Sequence, residues 1–128
     1  MSAKAERVGR KRAYGVKAGV TLNANTPTVL DAGYLTAVTD GSGAALSAGV
    51  TTFEVDNSAG SNGSIIAEVV SGEHKFTNSG DIAVTDVGAT AYFVNDSTLS
   101  IDHATNTLNA AGKIIQVDGD GVWVALGQ

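Results

Sequence analysis

Glycine, asparagine, aspartate and serine interrupt this chain so often that its apolar runs are only a few residues long. An amphipathic helix needs ten or more residues with apolar positions every three or four, and no such stretch is present. Short apolar runs between turn-forming residues are instead the pattern of strands. A single proline leaves nearly every one of these runs able to donate to a ladder. The chain therefore predicts an all-β fold, a small barrel or sandwich of about ten short strands, preceded by an extended N-terminal arm.

Particular segments carry that expectation. Residues 20–22 and 29–30 flank Asn-Ala-Asn-Thr-Pro, where Pro27 keeps Thr26 out of helical angles. Asp31-Ala-Gly33 reads as a turn before a strand at 34–39, and Asp40-Gly-Ser-Gly43 as a break. Residues 44–48 fit a turn of helix or a strand equally. A strand is expected over 51–55, with Phe53 and Val55 on one face, and then a polar loop over 56–64. Residues 65–70 and 73–77 read as a hairpin turning at Ser71-Gly72. Further strands are expected at 82–84, 91–94 and 99–101. The tail is the most regular part: strands at 113–117 and 122–126 bracket Asp118-Gly-Asp-Gly121. There Val122, Val124 and Leu126 share one face and Trp123 stands opposite, either under a second layer or at an interface.

Charge divides the chain in two. Lys4, Arg7, Arg10, Lys11, Arg12 and Lys17 face only Glu6 in the first seventeen residues, a balance of plus five. Residues 18–128 hold Lys75 and Lys113 against twelve carboxylates, a balance of minus ten, and the sum is the net minus five of the whole. Residues 1–19 are accordingly expected as a basic arm and residues 20–128 as an acidic β-domain. Such a chain suits docking, because its two parts address different surfaces. The core is thin: one Trp, three Tyr, three Phe and one Met leave Ala and Val to supply most apolar area. Neighbouring subunits are expected to add stability.

The residues of common chemistries are scattered. With no cysteine there is no disulfide, thiolate metal site or cysteine nucleophile. The carboxylates lie almost entirely in turns, where aspartate caps its own backbone. Glu54 and Glu68 stand in expected strands, but nothing in their spacing makes a glycosidase pair. His74 and His103 are isolated, and Asp118 and Asp120 lack the other ligands of a calcium loop. No enzyme activity, catalytic residue, metal ligand or cofactor is expected, nor a small-molecule substrate. The N-terminus has no apolar run behind its basic residues, and no segment has the length of a membrane span. The expectation is a protein made in the cytoplasm without a membrane partner.

Three uses of the arm compete. It binds nucleic acid, it is a solubilising tail, or it orders against another protein. The acidic body opposes a polyanion, and only Tyr14 offers a stacking surface, so the third is preferred. Val8, Tyr14, Val16 and Val20 would then be apolar anchors between cations suited to carboxylates.

Several stretches carry a resemblance: Arg10-Lys-Arg-Ala-Tyr-Gly-Val-Lys-Ala-Gly19, Val29-Leu-Asp-Ala-Gly-Tyr34, Phe53-Glu-Val-Asp-Asn57, Ser71-Gly-Glu-His-Lys-Phe76 and Gly112-Lys-Ile-Ile-Gln-Val-Asp-Gly-Asp-Gly-Val-Trp-Val124. Together, over most of the chain, they resemble the small decoration or cement proteins of tailed-bacteriophage heads. The resemblance implies a homotrimer on the outer surface of an icosahedral capsid, clamping adjacent capsomers of the major capsid protein. The arm, residues 4–20, would reach onto the shell through Lys4, Arg7, Arg10, Lys11, Arg12, Tyr14 and Lys17. Those names rest on charge and chain position. Tyr34, Tyr92 and Trp123 are expected as interface aromatics. Two other readings stay open, another virion subunit such as a head-fibre or tail component, and a carbohydrate- or cell-surface-binding β-module.

Overall fold

The computed structural model describes residues 10–40, 45–104 and 107–127. Twelve short strands run through it: β1 Lys11–Gly15, β2 Thr21–Leu22, β3 Pro27–Asp31, β4 Tyr34–Ala37, β5 Leu46–Thr51, β6 Val55–Asp56, β7 Ile66–Val70, β8 Gly72–Asn78, β9 Thr90–Phe93, β10 Thr98–Ser100, β11 Ala110–Asp118 and β12 Gly121–Leu126. They form a five-stranded sheet in the order β1-β7-β5-β3-β4, a small β2-β6 sheet, and a closed barrel β10-β8-β12-β11-β9. The expected all-β architecture is what the chain adopts.

Alternation explains the barrel's interior. Val122, Val124 and Leu126 point inward from β12 and are fully buried with Phe93, Leu99 and Ile114. Val29 and Val50 of the five-stranded sheet, with Val38 just after β4, reach the same cluster, so sheet and barrel share one core. The sheet's other face carries a second cluster, Val16, Leu22, Leu35, Ala48, Ala67 and Val69. Val-rich and Ala-rich strands thus suffice because each layer closes on a neighbour.

The tight turn at Asp31 follows from backbone freedom. Ala32 (φ 50°) and Gly33 (φ 89°) are both left-handed, as a two-residue hairpin with native twist requires, and Asp31 pairs with Tyr34 across it.

Three expectations change and one open reading is decided. Residues 65–70 and 73–77 are not a hairpin: β7 pairs with β1 and β5 in the sheet, whereas β8 pairs with β12 and β10 in the barrel. Ser71-Gly72 is the crossover between the two, with Ser71 buried and its N–H donating to the Arg10 carbonyl at 2.8 Å. The strand expected at 51–55 breaks, because the Thr51 hydroxyl donates to the Asn23 carbonyl (2.6 Å) and accepts from the Thr26 N–H (3.0 Å). That ends β5 and leaves Phe53 exposed. Residues 82–84 are not a strand; a 3₁₀ turn, Val84–Asp86, follows buried Ile82, with the Asp86 carboxylate accepting the Ala83 N–H at 2.7 Å. The ambiguous stretch before Gly49 is strand β5.

Candidate interaction surface

The basic segment enters the fold early. Lys4 and Arg7 lie outside the described residues. From Lys11 the chain is β1, an edge strand of the five-stranded sheet, and Val16 just beyond it is fully buried. Residues 10–19 therefore pack on the same body as the acidic part. Tyr14 lies against the second apolar cluster, as a structural side chain.

The register of β1 fixes which of its backbone groups face outward. Ser71 donates to the Arg10 carbonyl and Val16 to the Ile65 carbonyl. Antiparallel alternation then turns the N–H and C=O of Arg12 and Tyr14 toward β7, and those of Lys11 and Ala13 toward the open side. On that side the sheet meets β4 only at a bridge between Val16 and Leu35. Among the described residues, Lys11 and Ala13, both exposed, hold a short open edge.

Cations sort into two groups. Arg12 donates to the Gly127 carbonyl at 2.7 Å. Lys17 pairs with Asp31 at 2.8 Å and Asp40 at 3.5 Å. Lys75 pairs with Asp120 at 2.5 Å and Asp118 at 3.4 Å, and stands 5.9 Å from the Trp123 ring centre. Arg10, Lys11 and Lys113 have no such partner among the described residues. Arg12 and Lys17, expected as arm contacts, make these bonds within the body.

Arg10 and Lys113 line one groove of about 520 Å³ with Gly72, Glu73, Ile115 and Ala125. Its floor is the outer face of the barrel, where Lys113 pairs with Ala125 and Ala125 with Glu73 across three strands. The Arg10 side chain crosses onto the barrel over Gly72; its Cδ lies 2.6 Å from where a Cβ would stand. No sequence signal placed Lys113 beside Arg10, since it depends on the crossover at Ser71.

The three aromatics do not gather. Tyr34 is half-buried at the start of β4 against Gly63, and Tyr92 meets His103 edge-on at 5.7 Å. Trp123 stands half-buried on the outside of the barrel and belongs to neither apolar cluster. Its Nε1 donates to Asp118 at 3.0 Å. A separate cleft of about 460 Å³ presents Asn25, His74, Asp96, Ser97 and Phe76. Among the described residues, no group of three or more His, Cys, Asp or Glu is placed to hold a metal ion. Nor is any helix among them long and apolar enough to cross a membrane.

Asp118 and Asp120 titrate below the ordinary aspartate value. For Asp118 the cause is the Gln116 amide, then the Trp123 N–H and Lys75; for Asp120 it is the hydrogen bond from Lys75. Asp81 is also lowered: burial pulls it up, but the Ser100 and Ser79 hydroxyls and the Ile101 N–H outweigh this. A carboxylate lowered in the folded state adds stability above its unfolded value and loses it as pH falls through the folded value. Acidification below the ordinary aspartate value is therefore expected to weaken the fold and to change Trp123 fluorescence as Asp118 protonates. In Lys75→Met that fluorescence step should move to higher pH. A step unmoved by the substitution would show that Lys75 does not act on Asp118.

No known protein family, curated protein or solved structure matches the chain significantly.

Proposed function

We propose that this chain is a structural protein of a bacteriophage head, a decoration or cement protein that binds the outer capsid surface as a trimer and clamps adjacent capsomers. The observation that carries the reading is the ordered sheet edge at β1. There the basic N-terminal segment joins the body with Lys11 and Ala13 facing outward and with Arg10 and Lys11 unpaired among the described residues. An open edge accepts an added strand through backbone hydrogen bonds, and unpaired cations give it a preference for acidic partners. The short motifs that resemble those of capsid cement proteins point the same way. Such a role needs no bond-making chemistry: weak contacts repeated by symmetry become strong once tethered.

The test mixes purified protein with undecorated expanded heads and counts bound copies by sedimentation and cryo-microscopy. Deleting residues 2–9 leaves β1 and Val16 in place, unlike a longer truncation that would remove a sheet strand and a core side chain. Saturable, symmetry-matched binding is expected, with affinity reduced about tenfold or more by the deletion combined with Lys11→Glu, since several charge contacts per copy are lost. Absence of binding by the full chain removes the reading.

A second reading has an observation of its own. The 460 Å³ cleft offers amide, imidazole, carboxylate and hydroxyl groups beside the Phe76 ring, a lining suited to a glycan. Selective glycan binding by free protein, without binding to heads, would favour it.

A further inference from the structure

We infer that the groove between Arg10 and Lys113 is a binding site for an extended, carboxylate-bearing protein segment. On the proposed function that segment belongs to the shell subunit, and the partner's identity rests on that reading. The site's chemistry does not.

Three of the six described cations already have carboxylate or carbonyl partners within the chain, and two of the other three line this one groove. They stand on opposite sides of a floor made by β11, β12 and β8, with Lys113, Ala125 and Glu73 in one cross-strand row. Two strand spacings put Lys113 and Glu73 roughly 10 Å apart, and Arg10 crosses over Gly72 beside Glu73. That width fits one extended chain. Side chains of an extended chain point alternately to either side, so carboxylates at adjacent or odd spacing would meet Lys113 on one flank and Arg10 on the other. Ile115, half-buried, and Ala125 give the segment's apolar groups a dry floor. Glu73 stands at the Arg10 flank and disfavours a densely charged polyanion. A nucleic-acid strand also fits less well because, among the described residues, no aromatic ring lines the groove for bases to stack on.

The experiment titrates full-length, ¹⁵N-labelled protein with a soluble peptide bearing two adjacent glutamates among alanines and valines, and with its glutamine counterpart. The glutamate peptide is expected to shift the amides of Arg10, Gly72, Glu73, Lys113, Ile115 and Ala125, and the glutamine peptide to leave them in place. Lys113→Gln should weaken binding about threefold to fivefold, as for an exposed charge pair. Ala59→Glu, in an exposed loop, changes net charge equally and should leave affinity unchanged. Shifts centred elsewhere, equal losses in both variants, or an oligothymidylate that binds the groove more tightly than the peptide would each overturn the site. Heads separate the two proposals. Head binding indifferent to Lys113→Gln, with no peptide binding, overturns the groove and keeps the cement role. Peptide binding without head binding supports the groove and removes the cement role.

Discussion

Replacing Asn57 by alanine is expected to cost about 2–4 kcal/mol, because the side chain is a buried hub whose polar atoms are fully used. Its amide nitrogen donates to the carbonyls of Val16 (3.0 Å), Lys17 (3.2 Å) and Ser61 (2.9 Å), and its oxygen accepts from the Ser64 hydroxyl at 2.7 Å. Its backbone joins the same knot, with Gly19 donating to the Asn57 carbonyl and Asn57 to that of Val20. One residue thus ties the segment after β1 to the loop after β6. Denaturant unfolding of Asn57→Ala and the isosteric Asn57→Asp separates polarity from volume. Aspartate keeps the shape but turns acceptors toward three carbonyls, so it should be at least as damaging as alanine. An aspartate variant as stable as the parent would mean that the two amide protons shared among the three carbonyls contribute nothing.

The second large effect is expected at Gly112. Between Ala110 and Gly112 the pairing of β11 with β9 shifts register, and Gly112 adopts φ 152°. A Cβ there would overlap the Ala125 carbonyl oxygen on β12, a backbone atom with no way to move aside. Gly112→Ala must therefore part the β11–β12 ladder on which the barrel closes. The expected loss is about 3 kcal/mol or more, combining backbone strain with overpacking. Gly119, in the turn joining those strands, has open space around its Cβ position, and Gly119→Ala should change stability by less than about 0.5 kcal/mol. Similar losses from both substitutions would show that crowding at Ala125 is not the cause.

Neither residue stood out in the sequence, and the reasons are physical. Asn57 sits in a run of turn residues where asparagine ordinarily bonds its own loop; its burial depends on Val16, some forty residues earlier. Segments whose partners are adjacent were legible. The tail strands around Asp118-Gly-Asp-Gly121 pair as read, with Val122, Val124 and Leu126 inside, and so do the strands around Ala32-Gly33. Ser71-Gly72 has the composition of a hairpin turn, yet composition cannot register that β7 has both its edges occupied by β1 and β5. The surface shows the same division. Arg10, Lys11, Arg12 and Lys17 were recognisable as cations, but which of them are free is decided by Asp31, Asp40 and Gly127, brought in by the fold. Lys113 looked like an isolated surface charge until the barrel set it across from Arg10.

The pairing of β1 has a consequence for the protein as it is being made. Gly15 pairs with Ile66 and Lys11 with Val70, more than fifty residues further along. At a synthesis rate of about 5–20 residues per second, the basic strand leaves the ribosome roughly 3–12 seconds before its ladder partner β7 exists. During that interval Val16 lacks Ala67 and Val69, its neighbours in the second apolar cluster, and Arg12 lacks the Gly127 carbonyl. The first cationic strand of the chain is thus seated only after about half of the chain has been made. Newborn molecules pass through a stage at which Arg10, Lys11 and Arg12 are all available, before the Gly127 carbonyl engages Arg12.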